Sequence, residues 1–477
     1  MKEENLSVNM RTLFRTTGSL SYRTQICFAV FLILMFSVIW FVNSNARLLL
    51  KSTNSKNASR KVMLHIKPFS NKPDEFGKIK LLCYKNKTPQ NIEDLQKFVD
   101  LLKSSRKSIC RDYYESFVKI YQIRVKYTSI VISELFMLKM KKWLNNDKKL
   151  IQAAKNQSLI FVDNLYSQES VVFNPVRANR PGVSAGDTKI YVEKIIKDSL
   201  NGCDFCNYKK YTASDDFGYM ESKYAVVISN SFKIERYHGM ALFRSHDPIH
   251  FTQLQYIDTI NLALKWFRRT NKLVPSHQYR IMYWDVLPKA SASQIHPHFH
   301  LTLGNYAYYA KWNILYKAGL MFSKQHAQKN YWKTVLEVHS ALGLTVSFGQ
   351  ASVLAYITPQ KDFEVIVISQ KPCLDFFRLV YFTIRTFIDN MEQYSLSMGF
   401  VFPKMDTDYS KGEELPMMVR IVSRGAADSA RSDISSFDLF GTANVNKDPF
   451  KVIRKIRESV EVKQKEEFSY PEWEQFE

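Results

Sequence analysis

The same order of elements, strand, strand, helix, strand, occurs twice along this chain, and that repetition restricts the fold more than any other feature. In the first half YAVVISNSF, HGMALFR, HQYRIMYWDV and HPHFHLTLG read as strands, with FTQLQYIDTINLALKWFRRT as a helix between two of them. In the second, TVLEVHSALG, QASVLAYITP and FEVIVIS read as strands, DFFRLVYFTIRTFIDNMEQY as a helix and MMVRIVS as a later strand. The pattern predicts an α+β fold of two duplicated halves of roughly 150 residues each, antiparallel sheets with packed helices. A length of 477 residues with 45% hydrophobic and 14% aromatic content supplies the core for such a fold and excludes a disordered chain.

Two other segments precede the halves. Residues 26–42, ICFAVFLILMFSVIWFV, carry no charge and lie at the short limit for a transmembrane helix. No small-residue cleavage site follows, so the expectation is a signal anchor behind a cytosolic tail, residues 1–25. Sequons at Asn57, Asn86 and Asn156 all follow the span, as in a glycoprotein with a lumenal body. A short span suits the endoplasmic reticulum or Golgi, which predicts a single-pass type II protein. Residues 43–164 read as a linker and a helical stem, because NIEDLQKFVDLLKSS and YYESFVKIYQIRVKYTSIVISELFMLKMKKWL repeat apolar residues at three and four. Six cysteines are too few for a disulfide scaffold. Cys83 and Cys110 are candidates for one bridge, and Cys203 and Cys206 form the one close pair. A formal charge of +22 favours phosphorylated or polyanionic partners.

Chemistry concentrates in QIHPHFHLTLG, which holds three of the ten histidines, His296, His298 and His300. On a strand, alternate residues leave from one face, so the three imidazoles converge while Phe299 and Leu301 turn to the other side. Imidazole titrates near neutrality and serves as nucleophile, proton donor or metal ligand.

With SASQIHPHFH at residues 291–300, the chain resembles the histidine triad superfamily, in particular its galactose-1-phosphate uridylyltransferase branch. FNPVRANRP (173–181), CDFC (203–206) and ISNSF (228–232) are similar to three further motifs of that branch, in the same order. QASVLAYITPQKDFEVIVIS and YSLSMGFVFP are similar to its second repeat, so the resemblance covers about 165–460. It implies two such repeats, 165–325 with the active site and 326–460, followed by a charged tail, 461–477.

The resemblance assigns His298 as the nucleophile on an α-phosphorus, with His300 and Ser293 as its catalytic companions. Arg177 and Arg180 would face phosphates, and Asn230, Asp285 and Gln294 would contact the rest of the substrate. Cys203, Cys206 and His296, with His246 rather than His250 as the fourth ligand, would hold a structural zinc; a small disulfide between the cysteines is the alternative. Two departures stand out. His300 occupies the place of a glutamine in that branch, whereas hydrolases of the wider superfamily have histidine there. The second half has no histidine cluster, and His326 and His339 read as ordinary surface or core residues.

The expected function is a membrane-anchored nucleotidyltransferase or phosphorylase. It would act on a nucleoside diphosphate sugar or dinucleotide through a nucleotidyl-histidine intermediate. A hydrolase of the same substrates and a catalytically inactive binding module are the alternatives. A homodimer is common in the family, and the span argues against nucleic acid as a partner.

Overall fold

The computed structural model describes residues 75–177, 187–412 and 415–473. Among them no helix is long and apolar enough to cross a membrane. The longest, Gln253–Leu273, carries Asp258, Lys265, Arg268, Arg269 and Lys272 and packs inside the body. The expected span 26–42 lies outside the described residues, as do the tail 1–25, Asn57 and Arg180. The expectation of a membrane-anchored type II protein of the Golgi or endoplasmic reticulum is corrected to this extent: no helix of the described residues supports it. What is described is a stem and two sheet-and-helix halves, with no spanning helix.

The stem begins with α1 (Phe76–Cys83), α2 (Leu95–Ser104) and α3 (Ser108–Ile120). Leu95, Phe98, Val99 and Leu102 recur at three and four and are buried as one stripe of α2. A disulfide joins Cys83 to Cys110 and ties α1 to α3. The next run, expected as one continuous helix, is broken. Tyr121–Ser129 is a strand, β1, and helical structure resumes only at α4 (Glu134–Trp143) and α5 (Lys148–Lys155). YQIRVKYTS has alternating β-branched and aromatic residues, and β2 (Asn156–Asn164) offers it an antiparallel partner along its full length. β3 (Ser170–Phe173) continues this smaller sheet.

The first half follows α6 (Thr188–Leu200) and the short α7 (Tyr208–Tyr211). It comprises β4 (Met220–Glu221), β5 (Ala225–Ser229), β6 (Tyr237–Phe243), α8 (Gln253–Leu273), β7 (Tyr279–Asp285) and β8 (His298–Gly304). Two helices lead to the second half, α9 (Ala310–Gln325) and α10 (Tyr331–Ala341). The second includes most of TVLEVHSALG, expected as a strand. Asn330 caps it, and Trp332, Val335, Leu336 and His339 bury at helical spacing. Then come β9 (Thr345–Phe348), β10 (Ala351–Ala355), β11 (Val365–Ser369), α11 (Leu374–Arg385), β12 (Leu396–Val401) and β13 (Met417–Ser423). The chain closes with α12 (Ser436–Phe440), β14 (Ala443–Val445), which pairs parallel with β3, and α13 (Pro449–Lys463).

Ten strands form one antiparallel sheet in the order β4-β5-β6-β8-β7-β12-β13-β11-β10-β9. Read outward from the β7·β12 joint, both halves have the same connectivity, and the helix between the third and fourth strands, α8 or α11, is in the same place. One cross-sheet row makes the symmetry explicit: Ile228, Met240, His300, Tyr283, Gly399, Arg420, Ile366 and Leu354 are successive partners. Reflected about the Tyr283–Gly399 pair, His300 corresponds to Arg420.

Candidate active site

β8 lies between β6 and β7, so its backbone is bonded on both sides and its side chains are held at a fixed pitch. Phe299, Leu301 and Leu303 are completely buried on one face. There Phe299 packs on Trp284 with ring centroids 4.6 Å apart, within a cluster that includes Phe243 and Tyr256. Gly239 lets α8 approach this platform, because a Cβ there would lie 2.9 Å from the Trp266 ring. The opposite face carries His298 and His300.

His296 lies just before the strand and faces a different group of side chains. Cys203, Cys206, His246 and His296 bring two sulfurs and two imidazole nitrogens within 4.8 Å of one another. Cys206 Sγ is 3.5 Å from Nδ1 of both His246 and His296, and Cys203 Sγ is 3.6 Å from His296 Nδ1. These separations match the edges of a tetrahedron built on metal bonds of about 2.0–2.3 Å. His296 Nε2–H donates to the Phe243 carbonyl at 2.7 Å, and His246 Nε2 meets Ser199 Oγ at 3.0 Å, which turns both Nδ1 lone pairs inward. The four residues are thus suited to hold a metal ion. His250 is outside the cluster, exposed and paired with Asp247.

Phe205, inside the Cys-x-x-Cys turn, links this cluster to the next, with its ring 5.8 Å from that of His296 and 5.2 Å from that of His298. His298 Nδ1–H donates to the His296 carbonyl at 2.8 Å, so Nε2 keeps its lone pair. Burial, reinforced by the neighbouring His300, pushes the His298 imidazole down to about 4, and it is neutral at pH 7.

His300 takes part in a second chain of contacts. The Ile234 N–H donates to His238 Nδ1 at 3.3 Å, which leaves the proton of His238 on Nε2. That nitrogen lies 3.1 Å from His300 Nδ1 and donates to it, which places the proton of His300 on its own Nε2. Asn230 Nδ2 is 3.5 Å from the same His300 Nδ1, while its Oδ1 accepts from the Phe232 N–H. Burial and the charge of His300 push His238 down to about 4; burial also lowers His300, against the pull of Asp285. His238 was not singled out from the sequence. Its strand position matters only once β6 is registered against β8.

The other expected site residues lie on different elements. Ser293, exposed, and Gln294, half-buried, lie in the turn before β8. Asp285 accepts from Ser397 Oγ at 2.6 Å and is raised by burial, while His300 and Arg424 lower it. Arg424 also donates to Ser397, at 3.1 Å, and lines a cavity of about 550 Å³ together with Arg177, Lys289 and Lys361. The Arg177 guanidinium donates to the Asn444 side-chain oxygen at 2.6 and 3.1 Å. Arg177 therefore belongs to that basic cavity, connected to the histidines through Arg424, Ser397 and Asp285.

In the second half the corresponding positions hold ions instead of imidazoles. Arg420 corresponds to His300, and Glu364, two residues before Ile366, corresponds to His238, two residues before Met240. Arg420 pairs with Glu364 and, at 2.5 Å, with Glu169 from the stem, which also meets Lys311 at 2.8 Å and Tyr356 Oη at 3.0 Å. His339 is buried, donating to the Val335 carbonyl and accepting from the Ile357 N–H. His326 meets Tyr166 Oη at 2.7 Å.

No protein-family model and no curated protein matches this sequence. Among solved structures it is similar to an ADP-glucose phosphorylase from Arabidopsis thaliana with bound ADP-glucose, at 12% identity over 62% of this chain and 98% of that one, TM-score 0.47. It is also similar to a uridylyltransferase, at 9% identity over 51% and 86%, TM-score 0.42. A third is the yeast Ap4A phosphorylase, at 12% identity over 70% and 96%, TM-score 0.31. The likeness is one of fold alone, at low identity and low score.

Proposed function

We propose that this chain transfers a nucleotidyl group through His298, from a nucleoside diphosphate sugar or dinucleotide to a phosphate or sugar phosphate. The observation that carries the reading is the state of that imidazole: neutral, with Nδ1–H committed to the His296 carbonyl and Nε2 free. In the first step Nε2 forms a bond to the α-phosphorus as the bond from phosphorus to the leaving oxygen breaks. The Nδ1–H···O bond stabilises the positive charge that develops on the ring. In the second, an acceptor oxygen attacks phosphorus and the P–N bond breaks, which regenerates neutral His298.

His300 presents Nε2–H, held there by His238, and is placed to donate to a phosphoryl or leaving oxygen. An imidazole here can also assist water, and this supports a hydrolase as the second reading. Cys203, Cys206, His246 and His296 would hold zinc, a choice supported by two thiolates and two imidazoles. Bound there, the metal would supply a structural tie that fixes the start of β8.

The test is incubation of the protein with labelled nucleotide sugars and dinucleotides, with and without phosphate or hexose phosphate. An acid-labile nucleotidyl adduct that is absent in His298→Asn is expected, and product partition between phosphate and water separates the two readings. Neither adduct nor turnover across the panel would refute the proposal in favour of a binding module.

A further inference from the structure

The stem carries a projecting arm for which the reaction above has no use. β1 and β2 leave the body at Tyr121 and Asn164, both buried, and become exposed toward their far end, where Tyr127 is 84% accessible. There α4 and α5 close the hairpin on a small core of Met140, Leu144 and Ala154, separate from the main one. Only Met140 of α4 is buried. The helix instead turns Leu135 and Leu138 outward, 79% and 58% exposed, beside a fully exposed Val131. Leu135 and Leu138 are three residues apart and share one face. Trp143 sits at the end of α4 with its ring 5.7 Å from Phe136.

The charge around these apolar side chains has one sign. Residues 126–155 contain seven lysines, all exposed, against two carboxylates, Glu134 and Asp147. Asp147 is committed to capping α5 through the N–H groups of Lys149 and Leu150. Exposed leucines, an aromatic residue with a polar edge and a dense set of lysines form the pattern of a surface that lies in a headgroup layer. Nucleic acid would match the lysines and leave the leucines and valine in water. A second protein copy with the same +5 tip would meet like charge.

We propose that the tip of this arm, Val131 to Trp143, docks on the surface of a bilayer rich in anionic phospholipid. Leu135, Leu138 and Val131 enter the acyl boundary, Trp143 lies at headgroup level and Lys139, Lys141 and Lys142 face the phosphates. The contact is peripheral and requires no helix to span the bilayer.

The test measures tryptophan quenching of the full chain by brominated acyl chains in vesicles of phosphatidylserine and phosphatidylcholine, against phosphatidylcholine alone. Trp143→Phe isolates the arm from every other tryptophan. Expected are a quenched component in the anionic vesicles that disappears in Trp143→Phe, and at least tenfold weaker quenching of that component in Leu135→Glu/Leu138→Glu. Lys139→Gln/Lys141→Gln/Lys142→Gln, and 0.5 M salt, should weaken it similarly. Quenching unchanged by Trp143→Phe, or equal on the two vesicle types, overturns the proposal. So does self-association without vesicles that Leu135→Glu/Leu138→Glu abolishes. Unchanged circular dichroism of the variants separates loss of docking from loss of fold.

Discussion

Replacing Glu169 by glutamine tests whether the ion network of the second half holds the stem to the body. Glu169 is 2% exposed and accepts from Arg420, Lys311, Ser167 and Tyr356. Burial alone would raise its carboxyl, but the charges of Arg420 and Lys311 prevail and hold it at about 2 instead of 4.5. That difference corresponds to about 3 kcal/mol favouring the ionised form in the folded state. Glutamine keeps the volume and mimics the protonated acid, so Glu169→Gln should cost about 3 kcal/mol at pH 7. A folded pKa below the unfolded one means the contribution is complete above about 4.5 and is lost as pH falls through 2. The gap between wild type and variant should therefore shrink to about 1.5 kcal/mol at pH 3. Urea midpoints at both pH values measure it, with unfolding slopes checked for equality. A cost below about 1 kcal/mol at pH 7, or the same cost at pH 3, would refute the reasoning.

His300→Leu should lower kcat by about 10² or more. His238→Leu should lower it less, and the double variant should resemble His300→Leu alone, because His238 acts through the proton it places on its neighbour. Metal analysis should find a bound ion in the wild-type protein and a loss in Cys203→Ser, with a lowered melting temperature; equal content would remove that thiol from the site. Gly239→Ala should destabilise by about 1–3 kcal/mol, since the new methyl group meets the Trp266 ring and overpacks the sheet. A thermal midpoint equal to wild type would show that α8 yields without cost.

The histidine face could be read from sequence because alternation needs nothing beyond the strand itself. The Cys-x-x-Cys turn could likewise be noticed, but its union with His246 and His296 spans more than ninety residues and depends on how β6 and β8 align. His238 escaped for the same reason. The stem shows a different limit. YQIRVKYTS satisfies both a helical and an alternating pattern, and the long-range pairing with β2 decides between them. TVLEVHSALG failed in the opposite direction: its β-branched residues suggest a strand, while the Asn330 cap and the buried stripe of Trp332, Val335, Leu336 and His339 make it helical. Arg177 stands in the expected motif, and what the fold adds is its place in the lining of the cavity that also holds Arg424, which depends on pairing across the chain that no local motif encodes.

The β7·β12 joint determines what can be made as a separate piece. Residues up to Gly304 contain every histidine of the site, and it is tempting to express them alone. Cutting there strips β12 from β7 and leaves Met282 and Trp284, now fully buried, beside a row of unpaired backbone groups. A bare edge of that kind recruits another strand. The truncated product is thus more suited to aggregation than to enzymology, and point variants of the whole chain are the sounder instrument for dissecting the two halves.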